Sequence, residues 1–70
     1  MSALDIQEGG DHYKSLTIQP VEYMIANGIP FVEGCCIKYL TRWRAKGGVS
    51  DLRKARHLID ILIEHEEGRA

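Results

Sequence analysis

Two breaks rich in glycine and proline divide the chain into short segments, and this division limits the fold more than any other feature. Gly28 and Pro30 form the first break, and the Gly47-Gly48 step forms the second. Neither residue type continues a helix easily, because glycine loses much conformational entropy and proline lacks the N–H that the helix needs. Between the breaks, apolar residues recur at spacings of three or four, which is typical of amphipathic helices. The sequence therefore predicts three helices.

The ends of these helices can be placed from local signals. Pro20 suits the first turn of the first helix, and Gly28 suits the position after its last turn. The second helix follows Pro30 and is predicted over residues 31–46. The third is predicted over residues 51–67. The predicted buried stripes are Val21, Met24 and Ile25; then Val32, Cys36, Tyr39, Leu40 and Trp43; then Leu52, Ala55, Leu58, Ile59, Leu62 and Ile63.

The resulting fold class is all-α, with one small domain. We predict a three-helix domain over residues 17–67, with Ser50 as the N-cap of the third helix. Residues 1–16 show little periodicity and are predicted to form an irregular N-terminal arm. Residues 68–70 form a C-terminal tail.

The small size of the domain favours association with further copies. A chain of 70 residues buries only about 60% of its unfolded surface, so its own core is marginal. The two cysteines are adjacent in sequence and do not form a disulfide framework, and both Cys35 and Cys36 are predicted to be small buried hydrophobes. No metal-binding spacing such as CxxC or HxxxH is present. Ile61 lies outside the third stripe and is either a subunit contact or an ordinary exposed isoleucine. Together with the marginal core, this leads us to predict a homo-oligomer.

The chain carries no apolar run of the roughly 18 residues that would span a membrane, and its N-terminus does not resemble a signal peptide. We therefore predict a cytoplasmic protein that does not interact with membranes. Its charge is unevenly distributed. Residues 37–57 hold seven basic residues and one acidic residue. By contrast, residues 1–36 hold one basic and five acidic residues, and residues 58–70 hold one basic and four acidic residues. The net charges of these three segments are therefore +6, −4 and −3, which add up to the net charge of −1 for the whole chain.

The basic segment surrounds the junction between the second and third helices. Arg42 and Lys46 lie one turn apart near the end of one helix, and Lys54 lies on the first turn of the next. The N-terminus of a helix offers free N–H groups and a partial positive charge, which attract phosphate. The Gly47-Gly48 backbone would let a ligand approach closely. This arrangement predicts a phosphate-binding site.

A purely structural interpretation of the same residues stays open. Gly47 is the kind of residue that follows a helix, and Lys46 complements the negative end of a helix dipole. Asp51 disfavours an anion at the start of the third helix unless a cation accompanies it. His12 in the arm either donates to a phosphate or is an exposed loop histidine. A P-loop is excluded, because the G-x-x-x-x-G-K-[ST] spacing is absent.

The combined pattern HYK…IQPVEYM…F.EG..IKYLTRWRAKGG.SDLRKARH resembles a small domain family common in tailed phages and prophages. That family is known as one of unknown function and as nucleotide-kinase-like. The same pattern occurs within a larger phage kinase that acts on deoxynucleoside monophosphates, lacks a Walker motif and assembles as a high-order oligomer. The resemblance covers residues 12–63. The chain departs from the family pattern at Cys35, where Asn is common, and at Arg44, where Lys is usual. It is also much shorter than the kinase.

This resemblance implies a set of site residues. The nucleotide-binding candidates are His12, Tyr13, Lys38, Arg42, Lys46, Gly47, Gly48 and Lys54. His12 and Asp51 are the candidates for catalysis, and Asp51 is also the candidate metal ligand. If the protein is a kinase, its cofactors would be ATP and Mg²⁺.

Three functions follow as hypotheses. The first is a phage-type protein that binds a phosphate-bearing nucleotide at the helix–Gly-Gly–helix junction, with nucleoside monophosphate kinase activity as its enzymatic form. The second is a noncatalytic sponge that sequesters cyclic or modified nucleotides used by bacteria as defence signals, with Tyr39 or Trp43 as the aromatic platform. The third is a nucleic-acid-binding module, which the acidic flanks disfavour. If the protein is phage-encoded, it would act in the host cytoplasm.

Overall fold

The structure, a computed structural model, describes residues 15–69, which contain three helices joined by turns. They are α1 (Pro20–Asn27), α2 (Phe31–Arg42) and α3 (Val49–Gly68). No strand occurs within residues 15–69, so the predicted all-α, three-helix fold is confirmed. Most of the predicted N-terminal arm and the last residue of the tail lie outside the described part. None of the described helices is both long enough and apolar enough to span a membrane.

The ends of α1 follow the predicted signals. The Gln19 N–H donates to the Glu22 carboxylate over 3.1 Å, so a side chain of the first turn satisfies a backbone donor just before it. At the other end Gly28 adopts the left-handed conformation, with φ 60° and ψ 39°. The Ile29 N–H then donates to the Met24 carbonyl over 3.0 Å, which closes the helix.

Replacing Gly28 with alanine is expected to lower the free energy of unfolding by about 1 kcal/mol, because a β-carbon is disfavoured in the left-handed conformation. The cost is conformational only, since no atom lies within 4 Å of the position that this β-carbon would take. Asparagine tolerates that conformation, so Gly28→Asn is expected to be milder. Urea denaturation of the two variants checks this order, and equal losses would contradict it.

The junction between α2 and α3 differs from the prediction in two respects. The second helix ends at Arg42 rather than at Lys46, and residues 43–48 form a hydrogen-bonded turn in which the Gly48 N–H donates to the Trp43 carbonyl over 2.7 Å. The predicted Ser50 N-cap is wrong. Gly48 is the N-cap, with φ 59° and ψ −149°, so Ser50 lies inside the helix.

The second helix occupies the middle of the structure. On one side α1 packs against it, with Met24 lying where a side chain on Gly34 would project. On another side α3 packs along it, and the Cys36 thiol lies 3.8 Å from the Ala55 carbonyl oxygen. Within residues 15–69, α1 and α3 do not contact each other. Cys36 and Ala55 are buried between α2 and α3, and Pro20 is buried at the start of α1. The prediction of a small buried hydrophobe is therefore confirmed for Cys36 but is wrong for Cys35, which is only half-buried.

The predicted apolar stripes are only partly covered by this packing. Leu52, Leu58 and Leu62 are half-buried, whereas Ile59 and Ile63 on the same helix remain exposed. Leu40 of the second stripe is also exposed. The described residues therefore form a thin core with apolar surface beside it.

Candidate functional site

One face of α2 lines a small cavity near the junction with α3. Its lining residues are Cys35, Lys38, Tyr39 and Arg42, and its volume is about 80 Å³. Their spacing of three or four residues places them on one side of the helix. A single water needs roughly 10–15 Å³ of such space. The cavity therefore has room for a small anion such as a phosphate group, and a nucleoside attached to it would extend over the surface.

Arg42 connects this cavity to α3 through a two-bond ion pair. Its Nε donates to Oδ2 of Asp51 over 3.0 Å, and its Nη2 donates to Oδ1 over 3.3 Å. The Asp51 side chain is 1% exposed and that of Arg42 is 20% exposed. The planar guanidinium matches a carboxylate in this geometry, which a lysine cannot reproduce. The pair thus joins the last turn of α2 to the first turn of α3.

Tyr39 is the centre of the cationic cluster. The Arg42 Cζ lies 5.0 Å from the centroid of its ring, and the Lys54 Nζ lies 5.7 Å from it. Both distances are within the range of cation–π attraction. Lys38 lines the same cavity one turn before Arg42. Arg42 and Lys54 therefore bring charges from two helices to one aromatic ring, and Lys38 adds a third charge at the cavity. We call Lys38, Tyr39, Arg42 and Lys54 the basic cluster.

The Gly47 backbone approaches Asp51 closely. A β-carbon on Gly47 would overlap all three atoms of the Asp51 carboxyl group. The Gly47 backbone N–H also helps to lower the pKa of that carboxylate. A carboxylate of the chain itself therefore lies against the Gly-Gly turn, at the place where the sequence predicted the backbone to cradle a phosphate.

The surroundings of Asp51 hold its pKa below the usual value. The hydrogen bond from Arg42 is the largest cause, and the charges of Arg42 and Lys54 and the Gly47 N–H act in the same direction. Burial acts in the opposite direction but does not prevail. Asp51 is consequently a carboxylate at neutral pH, and its pKa argues against a role as a general acid there.

The sequence-predicted residues are distributed unevenly around this site. Lys38 and Arg42 line the cavity, and Lys54 reaches the same aromatic ring from α3. Lys46 is exposed on the turn and does not line the cavity. His12 and the adjacent Tyr13 lie outside the described residues, so their predicted roles stay predictions.

Two features of the site were missed by the sequence analysis. Cys35 lines the cavity, and its place was accessible from the spacing, since it lies seven residues before Arg42 on the same helix face. The pairing of Arg42 with Asp51 had no comparable signal, because it depends on how the turn between the helices folds. Trp43, a predicted alternative platform, is half-buried and lies against Arg44, whose Cζ is 4.5 Å from its ring.

Metal binding and thiol chemistry have separate evidence. Across residues 15–69, no three His, Cys, Asp or Glu side chains are grouped so as to hold a metal ion. Asp51, the candidate metal ligand, has both oxygens hydrogen-bonded by Arg42, so a metal would have to share that carboxylate with the guanidinium. Burial raises the pKa of the Cys36 thiol, with Cys35 and Glu33 adding to the effect, which keeps Cys36 protonated and unreactive.

Comparison with known proteins gives one match. No curated protein and no solved structure matches the chain. The model of the family DUF3310, whose members are described as proteins of unknown function, matches residues 7–60. This range includes the whole basic cluster, the Gly-Gly turn and Asp51. Because the match extends over more than half of its residues, the chain belongs to the DUF3310 family.

Proposed function

We propose that the protein binds a phosphate-bearing nucleotide at the basic cluster. The observation that carries this proposal is that Arg42 and Lys54 meet at the Tyr39 ring, while Lys38 joins Tyr39 and Arg42 in lining a cavity of about 80 Å³. Three cations and the single carboxylate of Asp51 leave a local charge of +2. A phosphate monoester carries about −1.5 to −2 at neutral pH, so the two charges are matched.

The geometry supports a division of roles within the ligand. The cavity accommodates a phosphate group, with the Lys38 ammonium as its donor and the outer edge of the Arg42 guanidinium beside it. The nucleoside would then lie on the surface over the Tyr39 and Lys54 side of the cluster. Aromatic and cationic side chains are the groups on which bases stack without strong sequence preference.

Within this proposal, sequestration has more support than phosphoryl transfer by a single chain. Asp51 is the candidate ligand for Mg²⁺, and both of its oxygens are held by Arg42. A binding protein needs the cations and the aromatic ring alone, whereas a kinase must also place ATP, Mg²⁺ and an acceptor together. The kinase form of the proposal therefore requires a site shared between subunits of a homo-oligomer, including His12 from the arm.

The resemblance to phage proteins supports the remaining parts of the proposal. On that basis we assign the protein to a bacteriophage and place its action in the host cytoplasm. Its ligand class would be a deoxynucleoside monophosphate, or a cyclic or modified nucleotide used as a defence signal. These ligands share the phosphate that the cluster is proposed to bind.

Replacing Lys38 with alanine is expected to weaken nucleotide affinity at least tenfold, because one charge-assisted hydrogen bond contributes about 1.5–3 kcal/mol. Titration calorimetry with deoxynucleoside monophosphates and cyclic dinucleotides measures the effect. Arg69→Ala is the matched control. It removes the same charge at the far end of α3, where Arg69 pairs with the exposed Glu66, and is expected to leave affinity unchanged.

Three results would redirect the proposal. Equal affinity of the Lys38→Ala variant and the unmodified protein would move the ligand away from the cavity. Phosphoryl transfer from ATP with Mg²⁺ to a nucleoside monophosphate would replace sequestration by catalysis. Binding of oligonucleotides with a steep loss of affinity as salt rises would favour the nucleic-acid module instead.

A further inference from the structure

The third helix carries an exposed apolar stripe on the side away from the basic cluster. At 100° per residue, Leu52, Ile59 and Ile63 lie within about 40° of one another around the helix axis. Ile59 is 43% exposed and Ile63 is 49% exposed. Leu52 is half-buried, and the exposed Val49 extends the same stripe toward the turn. We call Val49, Leu52, Ile59 and Ile63 the apolar stripe.

The spacing along α3 is that of a helix–helix contact. Val49, Leu52, Ile59 and Ile63 are separated by three, seven and four residues, which fits the alternating three-four spacing of a packed helical seam. Arg56 occupies the intervening position of the same series. The helix is 20 residues long, or about 30 Å, so a partner helix would have a long surface to follow.

The charges along α3 are separated by sign. Its first nine residues, 49–57, hold three basic residues and one acidic residue, a net charge of +2 with histidines neutral. The remaining residues, 58–68, hold four acidic residues and no lysine or arginine, a net charge of −4. The first half of α3 is therefore positively charged and the second half is negatively charged.

We propose that the apolar stripe is a homodimer interface in which α3 packs antiparallel against α3 of a second copy. An antiparallel arrangement places the basic half of each helix beside the acidic half of the other, whereas a parallel one places like charges together. A two-fold axis through the middle of the helix makes the surface self-complementary, as a symmetric dimer requires. Arg56 then lies near Asp60 of the second copy.

This interface is independent of the proposed nucleotide site. At 100° per residue, Ile61 and Lys54 lie on the opposite side of α3 from Ile59. Lys54 reaches Tyr39 on that opposite side. Both copies therefore keep their basic clusters exposed in the dimer, and loss of dimerisation and loss of nucleotide binding are separable results.

The test compares two isoleucines of almost equal exposure. Ile59→Glu is expected to weaken dimerisation at least tenfold, because it places a charge at the centre of the seam. Ile61→Glu, at a residue that is 44% exposed on the other side, is expected to leave the dimer intact, so Ile61, the contact suggested by the sequence, is not part of this interface. Sedimentation velocity of the full chain over a range of concentrations gives the dissociation constants. Circular dichroism checks that both variants remain helical.

Cross-linking tests the antiparallel orientation. In a Cys35→Ser background, Ile59→Cys lies near the two-fold axis and is expected to form a disulfide-linked dimer on mild oxidation. Val49→Cys lies at the end of the helix and meets the opposite end of its partner, so it is expected to remain unlinked. Efficient linkage at both positions would overturn the antiparallel arrangement. A monomeric chain at 100 μM or above, or equal effects of Ile59→Glu and Ile61→Glu, would overturn the interface itself.

Discussion

Gly47→Ala is expected to lower the free energy of unfolding by about 3 kcal/mol, the upper end of the range for overpacking. The new β-carbon would overlap the Asp51 carboxyl group, which is buried and fixed by two hydrogen bonds from Arg42. A flexible side chain would move aside at little cost, but this carboxylate cannot move without losing its partner. Urea denaturation monitored by circular dichroism measures the loss.

The neighbouring glycine provides a matched comparison. Gly48→Ala is also expected to be destabilising, by about 1–3 kcal/mol, because its φ of 59° and ψ of −149° belong to a region that is essentially restricted to glycine. No atom lies within 4 Å of a β-carbon at Gly48. The two substitutions therefore differ in cause, one steric and one conformational.

A double-mutant cycle with Asp51→Ala separates these causes. Removing the carboxyl group removes the overlap, so most of the cost of Gly47→Ala should disappear in the Asp51→Ala background. The cost of Gly48→Ala should persist there within about 0.5 kcal/mol, as for sites that do not interact sterically. A coupling energy between Gly47→Ala and Asp51→Ala below about 0.5 kcal/mol would show that the close approach of Asp51 is not the reason for glycine at position 47.

The helices themselves were largely predictable from the sequence. Pro20 and Gly28 gave both ends of α1, because proline and glycine act through local backbone geometry that needs no tertiary contact. The class of the fold followed from the three periodic segments. Packing decided which of the apolar residues are covered, and the exposed positions of Ile59 and Ile63 could not be inferred from spacing alone.

The junction was less predictable because its ends are fixed by tertiary contacts. Periodicity extended α2 to Lys46, but the helix ends at Arg42, whose side chain reaches across the turn to Asp51. Propensity favoured Ser50 as the N-cap. In the structure Gly48 is the N-cap, and the buried Asp51 carboxylate lies against the Gly47 backbone, so the helix begins earlier and Ser50 lies within it.

The same contacts explain what could be inferred about the candidate site. The charge pattern placed Lys38, Arg42 and Lys54 near one junction. The contacts of Arg42 and Lys54 with Tyr39, and the position of Lys38 in the cavity lining, agree with that placement. Their ligand remains a prediction. The sequence also suggested that Asp51 opposes an anion. The structure adds the physical detail that Asp51 occupies the space beside Gly47, so a phosphate would bind on the α2 side of the junction rather than against the Gly-Gly backbone.

The second large effect is expected from Asp51→Asn, which removes the charge and keeps the shape of the side chain. At pH 7 the variant should unfold at a clearly lower urea concentration than the unmodified protein, because an amide can accept only one of the two hydrogen bonds from Arg42 and does not attract its charge. Glu66→Gln is the control. It weakens the ion pair between Glu66 and Arg69, in which both side chains are 69% exposed. Exposed ion pairs contribute little to stability, so this variant is expected to unfold at nearly the same urea concentration as the unmodified protein.

The pH dependence distinguishes the charge of Asp51 from its shape. The folded-state pKa of Asp51 is lowered, so its carboxylate takes up a proton less readily in the native protein than in the unfolded chain. In the unfolded chain the pKa of an aspartate is about 3.9. Its stabilising contribution is therefore complete above that value and is lost as the pH falls through the lower folded-state pKa. The difference in unfolding midpoint between the unmodified protein and Asp51→Asn should be constant from pH 7 to about pH 5 and should shrink below about pH 4. A difference that stays constant in strong acid would mean that Asp51 stabilises the junction by packing and not by its charge.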